Sequence, residues 1–238
     1  MANPCLRVEH LTASRVVREV SGRPRREPVW SDVSFSVMAG EHVAVWAERG
    51  SVNLLLRPVA LLQRPDAGRI YFDDLDLTRM NGGALRRLRR QFQYVGGDPR
   101  YLLPMDYTVA NALLEPLKIH GLGTAAEQRA RIEASADLLR VSHLLLERKA
   151  GTISPGLRQR VALARAFTLK PRLLLCDQLI EQLEPAAARP LLEMVAHACR
   201  AMPEPAAWVW TTSDRELARA FSDRVLCLEN ARLRPDGG

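Results

Sequence analysis

The sequence predicts an α/β protein, a parallel sheet with helices on both faces and a helical middle stretch. Three observations carry this. The first quarter of the chain alternates apolar and polar residues as half-buried strands do, the stretch from about residue 98 to residue 154 has helical apolar spacing, and the remainder switches regularly between helix and strand. Helix–strand alternation of that kind builds a parallel sheet covered on both sides.

In chain order, "CLRVEHL" (Cys5 to Leu11) and "VWSDVSFSV" (Val29 to Val37) alternate as half-buried strands. "EHVAVW" (Glu41 to Trp46) is a more continuous apolar run, suited to a central strand. "VNLLLRPVALLQR" (Val52 to Arg64) predicts a helix that Pro58 kinks or ends, because proline cannot donate to the preceding turn. "RPDAG" is turn chemistry, "RIYF" a strand and "GGALRRLRRQF" an exposed basic helix. "TVANALLEPLKI" and "AEQRARIEASADLLRVSHLLL" are spaced as amphipathic helices, separated by Gly121 and Gly123. After them come a helix in "GLRQRVALARAFTL", a buried strand in "PRLLLCD", a helix in "AARPLLEMVAHACRA", a strand in "AWVWTT", a helix in "DRELARAF" and a strand in "DRVLCL".

Composition narrows the function classes. With 47% apolar and 26% charged residues over 238 positions, the chain reads as one ordinary globular unit. It has no run of about 18 apolar residues, so no membrane span is expected, and its first residues lack the apolar stretch of a secretory leader. Cys5, Cys176, Cys199 and Cys227 lie far apart without C-x-x-C spacing, which suits reduced thiols in the cytoplasm. The five histidines share no ligand spacing, so no metal cluster is expected from them. Three of the 34 basic residues are lysine (Lys118, Lys149, Lys170) and the rest arginine, for a net charge of +7. Clusters at Arg23 to Arg26 and Arg86 to Arg90 can meet an anion, but they lack interleaved aromatics and any nucleic-acid module, so nucleic acid is not the expected partner.

The stretch "AVWAERGSVNLLLRP" sits between the central strand and the first helix, the usual setting of a phosphate loop. Such a loop reads G-x-x-x-x-G-K-[ST], with glycines admitting backbone N–H groups, a lysine neutralising phosphate charge and a hydroxyl for magnesium. Those four positions fall on Trp46, Ser51, Val52 and Asn53; Gly50 is a neighbouring glycine, and no lysine occurs between Glu41 and Leu117.

The order of features resembles the nucleotide-binding subunit of an ATP-binding cassette (ABC) transporter across nearly the whole chain. "WSDVSFSVMAGEHVAV" resembles the run into the phosphate loop and "LLQRPDAGRIYFDDLDL" the segment after it. "LLEPLKIHGLG" resembles the helical subdomain of the subgroup serving peptide and nickel importers. "ISPGLRQRVALARAFTLKPRLLLCD" resembles the signature motif, its helix and the Walker B strand. The resemblance implies a P-loop NTPase-like cassette over residues 1–238, a mixed-sheet core with an antiparallel β edge and a helical subdomain inserted at about residues 98–154.

It also implies what each site position should do. Gly97 stands where the family's glutamine touches magnesium and the attacking water. Ser154 and Gly156 remain of the signature, which in the family reaches a partner's γ-phosphate; Pro155 and Leu157 replace its other residues. Ser154 followed by Pro155 is equally good helix-cap chemistry. Asp177 keeps the magnesium-binding aspartate and is the metal ligand if magnesium binds. Gln178 replaces the catalytic glutamate, and an amide cannot accept a proton as a general base. Ser213 replaces the switch histidine and, with Glu216, spells a capping box. Glu181 and Glu184 read as solvent-facing helix-start acids, and Arg15 falls near the adenine-stacking aromatic.

Three readings follow. In the first, the chain is a catalytically silent subunit of a peptide- or nickel-type importer, pairing with an active ATPase subunit and a membrane permease at the inner face of the membrane, with ATP and magnesium held weakly at most. In the second, it is a slow ATPase using Asp177 and backbone donors. In the third, it is a scaffold or regulator that binds an anionic partner.

Overall fold

The computed structural model describes residues 3–18, 23–48, 55–80, 82–96, 98 and 102–236. Strand β1 (Leu6–Arg18) pairs antiparallel with β2 (Pro24–Val37). Both extend well past the predicted bounds, so Arg25 and Arg26 of the basic cluster lie on β2, opposite Val17 and Val16. The central strand β3 (His42–Ala47) leads to the short helix α1 (Leu56–Val59). Pro58 lies inside α1, and the turn closes at Ala60, far short of the predicted Arg64. The predicted start of that helix falls outside the described residues.

Strands β4 (Ala67–Phe72) and β5 (Leu75–Asp76) complete a four-stranded antiparallel sheet in the order β2-β1-β4-β5. Helix α2 (Gly82–Leu88) stops short of the predicted end at Phe92, which instead opens strand β6 (Phe92–Val95). Helices α3 (Val109–Ile119) and α4 (Ala125–Leu138) then pack on α5 (Pro155–Phe167). Thr124 and Glu127 cap α4 reciprocally. α4 stops at Leu138 rather than running to Leu146; Arg140 takes the left-handed region at φ 50° and a 3₁₀ turn covers His143–Leu145. Then come β7 (Leu173–Cys176), α6 (Pro185–Arg200), β8 (Ala207–Thr212), α7 (Arg215–Phe221), β9 (Arg224–Glu229) and β10 (Arg232–Pro235).

The second sheet has the order β10-β9-β3-β8-β7-β6, parallel except for the β10 edge. Its central strands are buried on both faces, which explains their unbroken apolar runs. Along β8, Trp208 and Trp210 point into the core beneath the helices, whereas Ala207 and Val209 join the core against the antiparallel sheet. β7 divides the same way, Leu174 and Cys176 on one side and Leu173 and Leu175 on the other. Trp208 and Trp210 stack at 5.2 Å between centroids, and the His42 ring meets Trp208 edge-on at 5.4 Å. Burial holds the His42 imidazole below its ordinary pKa, so it stays neutral in that apolar setting.

Candidate functional site

Because β3, β6, β7 and β8 run parallel, their carboxyl ends gather at one edge, where open α/β sheets bind ligands. β7 delivers Asp177 and Gln178 there, β8 delivers Thr211 to Ser213, β6 ends at Val95, and β3 ends in Trp46 and Ala47.

Asp177 is the best-held group of the edge and is only 1% exposed. Its backbone N–H donates to the Val95 carbonyl at 2.9 Å. Oδ1 accepts the Thr211 hydroxyl at 2.9 Å. Oδ2 accepts the Leu56 backbone N–H at 3.1 Å and the Tyr94 hydroxyl at 3.2 Å. Burial raises the Asp177 pKa from 3.8 to about 6, against the lowering effect of these hydrogen bonds. Burial and the Asp177 charge push the Tyr94 hydroxyl upward, so it remains a donor at neutral pH.

Gln178 follows in the left-handed region at φ 59°, its N–H donating to Thr211 Oγ1 at 2.8 Å. Thr211 thus receives from Gln178 and gives to Asp177, fixing both residues after β7 relative to β8. A cavity of about 420 Å³ opens beside them, lined by Arg57, Tyr94, Asp98, Arg165, Asp177 and Gln178 among others. Arg165 bridges Glu115 of α3 at 2.5 Å. Among the described residues, the buried Nε–H groups of Arg57 and Arg165 find no acceptor.

Ser213 does not cap α7. Asp214 does so, its Oδ1 accepting the Leu217 N–H at 2.9 Å. Ser213 turns the other way, donating from its N–H and Oγ to Glu181 at 2.8 and 2.7 Å, while Thr212 Oγ1 adds a third donor at 3.2 Å. Glu181 is therefore a half-buried acceptor joining the loop after β7 to the end of β8, and the expectation of a solvent-facing acid fails there. Glu184 is exposed at the start of α6, as expected.

Trp46, expected from the sequence at the first phosphate-loop position, carries an indole near the end of β3. Its N–H donates to the Ser213 carbonyl at 3.2 Å, and the Arg215 guanidinium lies 5.4 Å from the ring centroid. Gly50, Ser51, Val52 and Asn53, and Gly97 of the glutamine position, lie outside the described residues. Ser154 caps α5 by accepting the Leu157 N–H at 3.3 Å, with Pro155 at the first helical position. Open space surrounds Gly156. Gln159 of the same helix donates to the Leu179 carbonyl, tying α5 to the loop after Gln178. Arg15 does not lie free for stacking: it bonds Glu27 across the β1–β2 pair at 2.9 Å.

Magnesium binding at Asp177 is a poor fit to this arrangement. Both carboxylate oxygens already accept bonds from protein donors, and the group is shielded from water. A hard cation needs anionic oxygens free to face it.

A parallel sheet with its site at the carboxyl edge, an antiparallel sheet packed on one face and helices between β6 and β7 define a P-loop NTPase cassette. The sequence profile of the ABC transporter family matches residues 30–181, and the chain belongs to that family. A methionine import ATP-binding protein of Rhodopseudomonas palustris is 30% identical over 233 residues, 98% of this chain and 58% of the relative. A protein of Brucella ovis named for peptide import is 34% identical over 157 residues, 66% of this chain and 50% of the relative. The chain thus spans about half the length of the curated relatives it matches. An ATP-binding cassette solved as a dimer with ADP and phosphate superposes with a TM-score of 0.80 at 22% identity, over 96% of both chains.

Tyr94, Thr211 and Arg57 were not singled out in the sequence. A phenol, a hydroxyl and a guanidinium carry no spacing rule; the parallel register brings Tyr94 and Thr211 to Asp177, and α1 carries Arg57 to the same cavity.

Proposed function

We propose that this chain is a catalytically silent nucleotide-binding-type subunit of an ABC importer for peptide or amino-acid cargo. In this reading it pairs with an active ATPase subunit and seats a membrane permease. The whole of residues 1–238 acts as one cassette, with residues from about 98 to 154 as its helical subdomain. It works at the inner face of the membrane through its partners; among the described residues no helix is long and apolar enough to cross a bilayer.

One observation carries the reading: the retained acid, Asp177, spends both carboxylate oxygens on Tyr94, Thr211 and the start of α1. A magnesium ligand has become a buried structural brace. The neighbouring replacements support the same conclusion. Gln178 cannot act as a base, Ser213 is committed to Glu181, and Val52 puts an aliphatic group at the lysine position. Losing that lysine alone removes a charge-assisted contact of about 1.5–3 kcal/mol. The import role rests on the relatives named for peptide and methionine import.

Calorimetry with Mg-ATP on the isolated chain tests silence, and the expected result is no saturable heat. Micromolar binding, or turnover of purified protein, would overturn it. Affinity capture of the tagged chain should recover an ATPase subunit and a permease; recovery of neither would sink the pairing.

A further inference from the structure

Two cavities share a wall far from the carboxyl edge, and their chemistries differ. One, of about 300 Å³, is a groove with an apolar floor. Ala130, Ala134 and Leu138 stand four residues apart along one face of α4, opposite Phe167 at the end of α5 and Met202 after α6. Eight residues of helix span about 12 Å, the length of the groove's α4 wall. Its hydroxyls make no demand on a ligand: Ser135 donates to the Ile132 carbonyl at 3.0 Å and Thr168 to the Arg165 carbonyl at 2.8 Å.

The second cavity, of about 380 Å³, is lined by Arg90, Arg131, Lys170 and Arg172. Its acid, Glu204, is already held by Arg172 at 3.0 Å, and Arg172 also grips Asp73 at 2.7 Å. Among the described residues the side chains of Arg90, Arg131 and Lys170 make no hydrogen bond or close ion pair, though Glu127 of α4 feels the charge of Arg131. Arg131, Lys170 and Pro203 line both cavities, so the apolar groove opens directly onto the unpaired cations.

We infer that this joined cleft binds an anionic amphiphile, its alkyl chain along α4 and its phosphate or carboxylate head against Arg131, Lys170 and Arg90. Charge complementarity fixes the orientation: Arg90, Arg131 and Lys170 gather at one end, whereas beyond Ala134 and Leu138 Arg140 shares its cavity with the acids Asp137 and Glu193. A tail gains about fourfold in affinity per methylene buried, and each charge-assisted contact to the head adds about tenfold. The inference stands apart from the nucleotide edge and needs neither ATP nor a partner subunit.

The test is calorimetry of the full chain with dodecyl phosphate below its micelle concentration, inorganic phosphate, and uncharged dodecyl maltoside. Dodecyl phosphate should bind more than about a hundredfold tighter than inorganic phosphate, and clearly tighter than the maltoside. The double variant Arg131→Glu, Lys170→Glu should lose at least about tenfold. Ala134→Phe, at an exposed position, should erase the advantage of the tail while leaving the fold intact by circular dichroism. Equal binding of dodecyl phosphate and inorganic phosphate would overturn the proposal, as would equal binding of the uncharged amphiphile. A parallel arm uses phosphatidylglycerol vesicles. Vesicle binding that dodecyl phosphate displaces supports the cleft and names a bilayer lipid as a source. Vesicle binding without any affinity for the monomer overturns it, because a flat cationic surface behaves that way.

Discussion

The Tyr94 hydroxyl lies 3.2 Å from Oδ2 of Asp177 and donates to it, joining the end of β6 to the end of β7 above the cavity. The same oxygen accepts the Leu56 N–H, so one carboxylate holds two strands and the start of α1 together. Tyr94→Phe removes one donor and leaves the other bonds in place. Its expected cost is about 1.5–3 kcal/mol, the value of a hydrogen bond to a charged group. Urea unfolding of the two proteins measures it. A variant as stable as the parent would mean that the brace carries no energy.

The pH dependence of that brace has a definite sign. Burial raises the Asp177 pKa from 3.8 to about 6, so between those values the folded chain holds a proton that the unfolded chain has released. Stability from this group is therefore full below about pH 4 and declines as pH rises to about 6, by on the order of 2–3 kcal/mol. Asp177→Asn does not titrate. The stability of the parent minus that of the variant should fall across this window and level off above it. Urea midpoints taken at intervals from pH 4 to 7.5 give the curve, and a difference that rises with pH contradicts the assignment.

Glu181 accepts three bonds from Thr212 and Ser213, and nothing else described in the loop after β7 replaces it as their acceptor. Glu181→Ala should cost about 1.5–3 kcal/mol, because it strands buried donors at the end of β8. Ser213→Ala loses only the hydroxyl contact and should cost about 1 kcal/mol. Gln182→Ala, at an exposed position beside it, serves as the control and should be neutral. If Glu181→Ala matches that control, the contact does not hold the loop.

Much of the fold was legible because the residues announce it locally. The unbroken apolar runs of β3, β7 and β8 follow from burial on both faces, and Ser154–Pro155 states the start of α5 outright. Strand β6 was missed because Phe92 to Val95 directly follows an arginine-rich helix and is too short for a period to emerge. β5 and β10 are edge pieces of two and four residues with the same difficulty. At the site, Asp177 was legible from the resemblance of "PRLLLCD" to the Walker B strand. Its partners were not, because Tyr94 and Thr211 reach it over 83 and 34 positions of sequence. Ser213 shows a different failure. Its spacing to Glu216 satisfied a local capping rule, yet Asp214 took the cap and Glu181, 32 residues away, took the serine.

Ser154 separates the two roles that its position allows. As the cap of α5 it accepts the Leu157 N–H, and Ser154→Ala should lower the stability of the isolated chain by about 1 kcal/mol. Ser154→Asp keeps a cap oxygen at the helix N-terminus and should leave that stability within about 0.5 kcal/mol of the parent. If the same helix end also completes a partner's nucleotide site, as the family resemblance implies for the signature, a carboxylate there opposes the partner's phosphates. The complex with the active ATPase subunit should then lose at least about tenfold in hydrolysis with Ser154→Asp, although the chain itself is as stable as before. Unchanged turnover in that complex would confine Ser154 to helix capping and remove the signature segment from the proposed pairing.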